Sequence, residues 1–398
     1  MAQDMPIASP VWDTLSAEDH QRIRRLYTVR DAATPPVQSN FRVAAVFAFT
    51  DTDGQPQLLD GTNNETCYIH GSICAERSTL PRIRQMGYNS IDAGYITCDG
   101  KGYITPGMLC REYMTEVAGL DLRLVLVSGA TVPSPEGPVP CEINITTVGE
   151  LYPFPPVYRC ISRYEVLNAA EALSAAVAPW WAGSLSVDSD DSDDDDGSDA
   201  QGIEARLGSV AAASGVATSD VYRMLKAIHA ETARDNRDIL HPIRYAAGAL
   251  FDDGSIVTGC ETKALEYGAT INPVIKIAKA LEDAHDAGRK VLLLAVMDQY
   301  GVLHGPFADS RAFLHEGPWG AVPVVVHNSE GDGALVVTAA SDLIPDSPRI
   351  EELFANVDEA RARADATSPA TSPDGKVHKP KTSHRPGSRT TTLHNILA

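Results

Sequence analysis

An internal repeat constrains this 398-residue chain more than any other feature. The segment 41–49, Phe-Arg-Val-Ala-Ala-Val-Phe-Ala-Phe, reappears at 243–251 as Ile-Arg-Tyr-Ala-Ala-Gly-Ala-Leu-Phe. Both segments are typical of a buried strand, and each leads through an Asp-Gly turn into a further strand. Such self-similarity indicates two copies of one structural unit.

Each copy continues with the same alternation of helices and strands. A helix of about 15 residues leads to an apolar strand at 93–97 in the first copy and at 291–295 in the second. A turn containing proline, a second helix start and another strand follow in both copies. Strands that alternate with helices over roughly 130 residues are typical of an α/β unit. We therefore predict two α/β units in tandem, at residues 20–157 and 205–350.

Two polar segments are predicted to lie outside these units. Residues 184–200 hold eight aspartates, so this segment has too little apolar surface to fold and repels itself. We expect an acidic, disordered linker that acts as a spacer, with binding of a partner as the alternative. Residues 361–398 are rich in Ser, Thr and Pro and are predicted to form a disordered tail.

Charge and composition disfavour several classes of function. The formal charge of −20 makes nucleic acid an unlikely main partner, because phosphate-backbone binding requires a basic surface. No apolar run reaches the roughly 18 residues that a membrane-spanning helix needs. We expect no secretory signal, since the first residues contain no continuous apolar stretch. The seven cysteines, an odd number over a long chain, indicate reduced thiols in a cytoplasmic protein.

The first copy carries residues with reactive chemistry. Cys74 is expected in the first turn of a helix that Ser72 caps and Gly87 ends. The positive end of the helix dipole favours the thiolate, and Glu76 lies two residues further on. Cys110 is expected at the start of another helix. Two helix-start cysteines beside a carboxylate suit a zinc ion that activates water.

These segments resemble the cytidine deaminase family. The tetrapeptide Cys-Ala-Glu-Arg at 74–77 is similar to the family's motif, and Pro-Gly-Met-Leu-Cys-Arg at 106–111 is similar to its Pro-Cys-x-x-Cys-Arg element. Asn-Asn-Glu at 63–65 stands at the family's distance from the first cysteine, without a gap. The phrase Gly-Glu-Leu-Tyr-Pro at 149–153 resembles the family's closing segment. The second copy carries the resemblance more faintly.

The resemblance implies a fold, a cofactor and roles for individual residues. The fold is a pair of three-layer α/β/α units, each a mixed sheet flanked by helices. Cys74 and Cys110 would ligate Zn²⁺, and Glu76 would carry protons between water and the pyrimidine. Arg77 would moderate the charge of the thiolates. The implied substrate-binding residues, near the nucleoside and its ribose hydroxyls, are Phe41, Asn63 and Glu65.

One position departs from the family. Gly107 stands where the family has a cysteine, so two of three protein ligands remain, whereas catalytic zinc sites keep three. The candidates for a substitute ligand are Cys67, His70 and Cys98. The same residues also fit ordinary roles as small buried thiols or as a loop histidine.

The second copy keeps the spacing but loses the chemistry. Asn272 stands in place of the zinc cysteine and Val274 in place of the catalytic glutamate, while Lys263 replaces the ribose-binding acid. Asn272 is a good N-cap, and Pro273 suits the first helical position. We therefore predict a capped helix start in this unit, with no zinc and no deamination.

Two functions from different classes follow. The first is zinc-dependent hydrolytic deamination of cytidine or deoxycytidine in the first unit, with a structural second unit. The alternative, favoured by Gly107, is a catalytically inactive scaffold or a regulatory nucleoside-binding protein. A deaminase acting on polynucleotide is disfavoured by the acidic charge. Because single-unit members of the family assemble as tetramers, the resemblance also implies a homodimer of this chain.

Overall fold

A computed structural model describes residues 7–66, 68–177 and 207–347. The strands of the first sheet are β1 (Val43–Thr50), β2 (Pro56–Thr62), β3 (Ser90–Cys98), β4 (Arg123–Val127) and β7 (Ile143–Thr147). A separate ribbon consists of β5 (Thr131–Val132) and β6 (Val139–Pro140). The helices up to residue 177 are α1 (Ala17–Ala32), α2 (Ala75–Met86), α3 (Met108–Val117), α4 (Val148–Leu151) and α5 (Val166–Val177).

Alternating side chains along β1 explain why helices cover both faces of this sheet. Ala45 and Phe47 are buried in a cluster with residues of α2 and α3. Ala44 and Val46 are buried in a cluster with residues of α1. Successive side chains of a strand point to opposite faces, so one apolar strand supplies both core layers. The first unit is therefore a three-layer α/β/α structure, as predicted.

The second sheet repeats the topology of the first. Its strands are β8 (Tyr245–Phe251), β9 (Ile256–Cys260), β10 (Val291–Asp298), β11 (Leu303–His304), β12 (Pro323–His327) and β13 (Leu335–Ala339). The strand order β9-β8-β10-β12-β13 corresponds to β2-β1-β3-β4-β7 in the first sheet. One central pair is parallel in each sheet, and its neighbouring pairs are antiparallel. Both sheets are mixed, which confirms the predicted fold class.

Helices also flank the second sheet. They are α6 (Thr218–Thr232), α7 (Pro273–Asp286) and α8 (Ala308–Glu316), with a further helical segment at 207–214. Residues of α6 and α7 belong to separate core clusters, and each cluster contains alternate residues of β8. Short 3₁₀ helices occur at Trp12–Thr14, Ile69–Gly71, Tyr267–Ala269 and Ala340–Leu343. None of the helices in these residues combines the length and hydropathy needed to cross a membrane.

A pair of buried arginines joins the two units where α3 meets α8. Arg111 donates to the carbonyl of Leu151 in its own unit and to that of Pro345 in the other, at 2.7 and 2.8 Å. Arg311 repeats this pattern with one carbonyl of each unit, at 2.8 and 2.7 Å. Burial lowers the pKa of Arg111 to about 10, so its guanidinium stays charged at neutral pH. Each arginine therefore binds the closing segments of both units, at 151–153 and 343–345.

The chain that leaves the first unit also packs on the second. The Tyr158 hydroxyl donates to the Asp298 carboxylate at 2.5 Å, and Ser174 of α5 donates to the Tyr300 carbonyl at 2.6 Å. Val166 and other residues of α5 are buried against the start of β8. The two units are thus in contact through residues that precede the acidic segment 184–200.

Some predictions about organisation stay predictions. The linker at 184–200 and the tail at 361–398 lie outside the described residues. The unit bounds 20–157 and 205–350 are likewise untested.

Replacement of an interface arginine is expected to destabilise the chain. Arg111→Met keeps the side-chain volume but leaves several carbonyl groups without a donor, so we expect a loss of about 3–5 kcal/mol in the free energy of unfolding. Urea denaturation measures this loss. The matched control is Arg223→Ala, because Arg223 is half exposed and pairs with Asp220 on a helix surface, which predicts less than about 1 kcal/mol. Equal losses in both variants would contradict the role of Arg111.

Candidate active site

Helix α2 begins two residues later than the sequence predicts. Its first residue is Ala75, and Cys74 rather than Ser72 is the N-cap. Ser72 instead closes the preceding 3₁₀ turn, and a bridge between Asn64 and Ile73 fixes the approach to the helix. The Cys74 side chain makes no capping hydrogen bond. Its sulfur therefore does not accept a hydrogen bond from the backbone N–H groups at the start of α2.

Helix α3 presents a second cysteine to the same place. Gly107 is the N-cap, and Cys110 lies buried in the first turn. The Cys110 thiol donates to the Glu76 carboxylate, with Sγ 3.6 Å from Oε2. Ligand atoms of Cys74, Glu76 and Cys110 all lie within 4.8 Å of one another. The structure brings these three residues together, and we call them the Cys–Glu–Cys group.

Burial and proximity set the protonation of the Cys–Glu–Cys group. Contact with the Cys110 thiol lowers the pKa of Cys74, and Arg77 acts in the same direction. The same contact, together with burial, raises the pKa of Cys110 well above that of an ordinary thiol. Burial also raises the pKa of Glu76, which is 3% exposed. The sequence favours the thiolate at both helix starts, but the pKa shifts favour it at Cys74 alone, because adjacent buried anions repel each other.

The position of Gly107 leaves room beside the group. A Cβ atom built there meets no other heavy atom within 4 Å, and its φ of −65° is one that any L-residue adopts. A cysteine side chain would therefore fit at position 107, although the residue there is glycine. Two thiols and a carboxylate this close fit Zn²⁺, which takes sulfur and carboxylate oxygen as ligands. Cys74 and Cys110 are the residues that would hold the ion, with Glu76 beside it.

The described candidates for a substitute ligand lie elsewhere. Cys98 is buried with Phe41 in a separate cluster, and its Sγ accepts a backbone hydrogen bond at 3.3 Å. His70 is exposed, with its ring 5.8 Å from that of Tyr68. Neither residue joins the Cys–Glu–Cys group. Cys67 lies outside the described residues.

A cavity of about 290 Å³ borders Cys74 and Gly107 and is lined by both units. Its second-unit wall comes mainly from α8 and includes Ala312 and His315. The Nε2 atom of His315 is buried and has no hydrogen-bond partner among the residues that the structure describes. The second unit therefore covers the side of the site that Gly107 leaves open.

The residues implied in ribose binding are held by local hydrogen bonds. The Asn63 amide accepts from the Val43 nitrogen at 2.8 Å and donates to the Phe41 carbonyl at 2.9 Å. The Glu65 carboxylate accepts the Ser39 hydroxyl at 2.5 Å and two backbone N–H groups at 3.0 and 2.7 Å. Phe41 is buried. These contacts fix the orientation of both polar side chains at the edge of the first sheet.

At the equivalent place in the second unit, neutral hydrogen bonds join the two helix starts. Asn272 caps α7 by accepting from the Ile275 nitrogen at 3.1 Å, and its Oδ1 also accepts the Ser310 hydroxyl at 2.6 Å. Pro273 occupies the first turn, as predicted. An Asn–Ser pair thus joins the two helix starts, and the predicted capped start is confirmed.

The convergence of cysteines and a glutamate at two helix starts is characteristic of deaminases that act on nucleobases. Cytidine deaminase from two strains of Mycobacterium tuberculosis, CDC 1551 and H37Rv, is 30% identical to this chain over 112 residues. The match spans 28% of this chain and 77% of the relative. The chain belongs to the cytidine deaminase family. No family model matches it.

Solved structures of cytidine deaminases also resemble the chain. The Burkholderia pseudomallei enzyme is 26% identical, with a TM-score of 0.29, and the match covers 36% of this chain and 100% of that one. The Mycobacterium tuberculosis enzyme is 25% identical, with a TM-score of 0.25, and the match covers 32% of this chain and 96% of that one. The family assignment rests on the relative that is 30% identical.

Sequence motifs locate the Cys–Glu–Cys group but miss the contribution of α8. Nothing in the spacing of His315 relates it to a site in the other copy. One sequence feature could have predicted the contact between α3 and α8. The pattern Pro-x-x-x-x-Arg occurs at 106–111 and again at 306–311, and the arginines of both segments lie at this contact.

Addition of a thiol at the open position is expected to strengthen metal binding. Gly107→Cys adds a third sulfur where a Cβ meets no neighbour, so we expect zinc affinity to rise at least about tenfold. Competition with a chromogenic chelator measures the affinity. Gly107→Ala fills the same space without a donor and should leave it unchanged. If the two variants behave alike, position 107 does not face the metal.

Proposed function

We propose that the first unit is a zinc-dependent cytoplasmic hydrolase that deaminates cytidine or deoxycytidine. The observation that carries this proposal is the convergence of ligand atoms from Cys74, Glu76 and Cys110 within 4.8 Å in a member of the cytidine deaminase family. In the reaction, the bond between C4 and the exocyclic nitrogen breaks, an oxygen from water bonds to C4, and ammonia leaves.

Glu76 is the residue proposed to move protons. Its carboxyl group is buried, and the burial raises its pKa, which brings an acid closer to the working pH of a general acid–base catalyst. One oxygen of this carboxylate lies 3.6 Å from the Cys110 sulfur, which places it beside a metal held there. Glu76 can therefore accept a proton from water and return protons to the ring nitrogen and the leaving ammonia.

The proposed metal ligands are Cys74 and Cys110. Zinc bound there would lower the pKa of a water molecule toward neutrality. Arg77 stabilises the charged form of Cys74 and so favours the ligating state. Helix α8 contributes a wall of the cavity beside Gly107, so part of the site is lined by the second unit.

The retained polar residues favour a free nucleoside as the substrate. Asn63 and Glu65 are the family's ribose-contacting pair at matching positions, and both are oriented by hydrogen bonds to the surrounding backbone. An oriented amide and carboxylate suit ribose hydroxyls, which both donate and accept. Phe41 would pack near the nucleoside from the start of the first sheet.

An inactive scaffold or a regulatory nucleoside-binding protein is the second candidate. The observation that favours it is Gly107, which leaves two protein thiols at the site instead of three ligands. Metal analysis of the purified chain separates the two functions. About one zinc per chain supports the enzyme, and absence of zinc supports the scaffold. In both cases we assign the second unit a structural role.

Loss of the catalytic acid should abolish turnover without unfolding the protein. Glu76→Gln is expected to reduce kcat for cytidine by about a hundredfold to ten-thousandfold, because it removes general acid–base catalysis. An ammonia-release assay measures the rate, and a thermal melt checks the fold. Glu136→Gln is the control, since Glu136 is exposed and pairs with Arg24. Retained turnover in Glu76→Gln would place the chemistry elsewhere.

The chain is also proposed to form a homodimer, which would supply four units in the assembly. Two units already pack together within one chain through α3 and α8. A dimer of this chain would therefore hold four units, the number in a tetramer of single-unit family members. Sedimentation at about micromolar concentration is expected to give the mass of two chains. A single-chain mass under these conditions would refute the homodimer.

A further inference from the structure

The second unit contains a cavity of about 340 Å³ where its catalytic residues have been replaced. Asn272 lines this cavity, and so do Glu261 and Lys263, which stand in place of the first unit's ribose-binding Asn and Glu. Leu109 and Glu112 of α3 complete the lining from the first unit. The cavity is therefore built by both units, and no member of the Cys–Glu–Cys group lines it.

Lys263 does not offer its charge to this cavity. Its ammonium nitrogen lies 2.5 Å from the Asp235 carboxylate and donates to the His241 carbonyl at 2.7 Å. The side chains of Lys263 and Asp235 are only 4% and 1% exposed. A buried pair in such close contact is neutral as a whole, and breaking it is costly. An anionic ligand would have to compete with Asp235 for this ammonium.

Because Lys263 pairs with Asp235, the negative charge of the nearby Glu261 carboxylate has no close counter-ion. Its carboxylate is 4.0 Å from the Lys263 ammonium, beyond hydrogen-bond distance, and its side chain is 13% exposed. Because burial disfavours a carboxylate without a close counter-ion, the pKa of Glu261 is raised to about 7. Glu261 therefore lines the cavity as an acceptor that needs a positively charged donor.

Aromatic rings form another part of the lining, which we call the aromatic wall; it consists of Tyr245, Tyr267 and Phe307. The rings of Tyr245 and Phe307 pack edge to face, with centroids 5.1 Å apart. The Tyr267 hydroxyl donates to the Leu240 carbonyl at 3.0 Å, which fixes that ring. The faces of aromatic rings attract cations and pack against flat apolar groups.

We propose that this cavity binds a small organic cation, an amine or amidinium carried on a flat apolar body, through Glu261 and the aromatic wall. The N–H groups of the ligand donate to the Glu261 carboxylate, in a charge-assisted hydrogen bond of the stronger kind. The flat body lies against the aromatic wall. The second unit has thus exchanged a reactive site for a recognition site.

The other ionisable groups around the cavity are compatible with a cation. Asp309 is acidic and exposed. Burial lowers the pKa of His241, so its ring is neutral at neutral pH. The Glu112 carboxylate accepts the Tyr152 hydroxyl at 2.6 Å and the Ala308 nitrogen at 2.9 Å, and it adds no positive charge. The lining as a whole is acidic, since the single lysine is neutralised.

Calorimetric titration of the full chain with two flat probes tests the ligand class directly. Benzamidinium carries the charge, and benzamide has nearly the same shape without it. At about pH 8, where carboxyl groups of this kind are ionised, benzamidinium is expected to bind at least about tenfold more tightly than benzamide. This comparison needs no variant, so it stands even if a substituted chain fails to fold.

Two isosteric variants locate the site. Glu261→Gln is expected to weaken benzamidinium binding at least about tenfold, because it removes the acceptor charge. Glu76→Gln, in the other unit, is the matched control and should leave the affinity unchanged. Equal affinity for the two probes, no binding up to about 10 mM, or unaltered binding by Glu261→Gln would overturn the proposal. Weakening by Glu76→Gln alone would place the probe in the first unit instead.

Discussion

The reciprocal arginines at the contact between α3 and α8 are the constraint on which the rest of the structure depends. Each guanidinium is buried, and its hydrogen bonds are complete only when the closing segments of both units are in place. A buried charge left without its partners is strongly destabilising, so the relative position of the two helices is fixed. Cys110 immediately precedes Arg111, and Ser310 immediately precedes Arg311. The same interaction therefore sets the sites as well as the interface.

This contact makes each unit part of the other's site. Helix α8 lines the cavity beside Cys74 and Gly107, and α3 contributes Leu109 and Glu112 to the cavity of the second unit. Each cavity is therefore incomplete without residues of the other unit. The two cavities differ in chemistry, since Cys74 lines the first, whereas Glu261, Lys263 and Asn272 line the second.

The divergence follows from what a helix start needs. A helix leaves its first N–H groups unpaired, and a cysteine reserved for a metal does not cap them. At the position equivalent to Cys74, the Asn272 side chain caps α7 and accepts the Ser310 hydroxyl as well. At the strand end, Lys263 stands in place of Glu65 and lies in a buried ion pair, while Glu261 stands in place of Asn63 and lines the cavity.

The sequence alone determined the duplicated α/β architecture, the strand and helix order, the capped start at Asn272 and the members of the Cys–Glu–Cys group, because these depend on local periodicity, capping and motif spacing. It misplaced the start of α2 by two residues, since Ser72 closes a 3₁₀ turn that lies inside the loop between the bridged residues Asn64 and Ile73. Only the tertiary structure decided that Cys98 and His70 stay apart from the group, that α8 lines the cavity beside Gly107, and that the pKa values of the two cysteines shift in opposite directions. Those properties arise from packing between segments remote in sequence, for which neighbouring residues carry no signal.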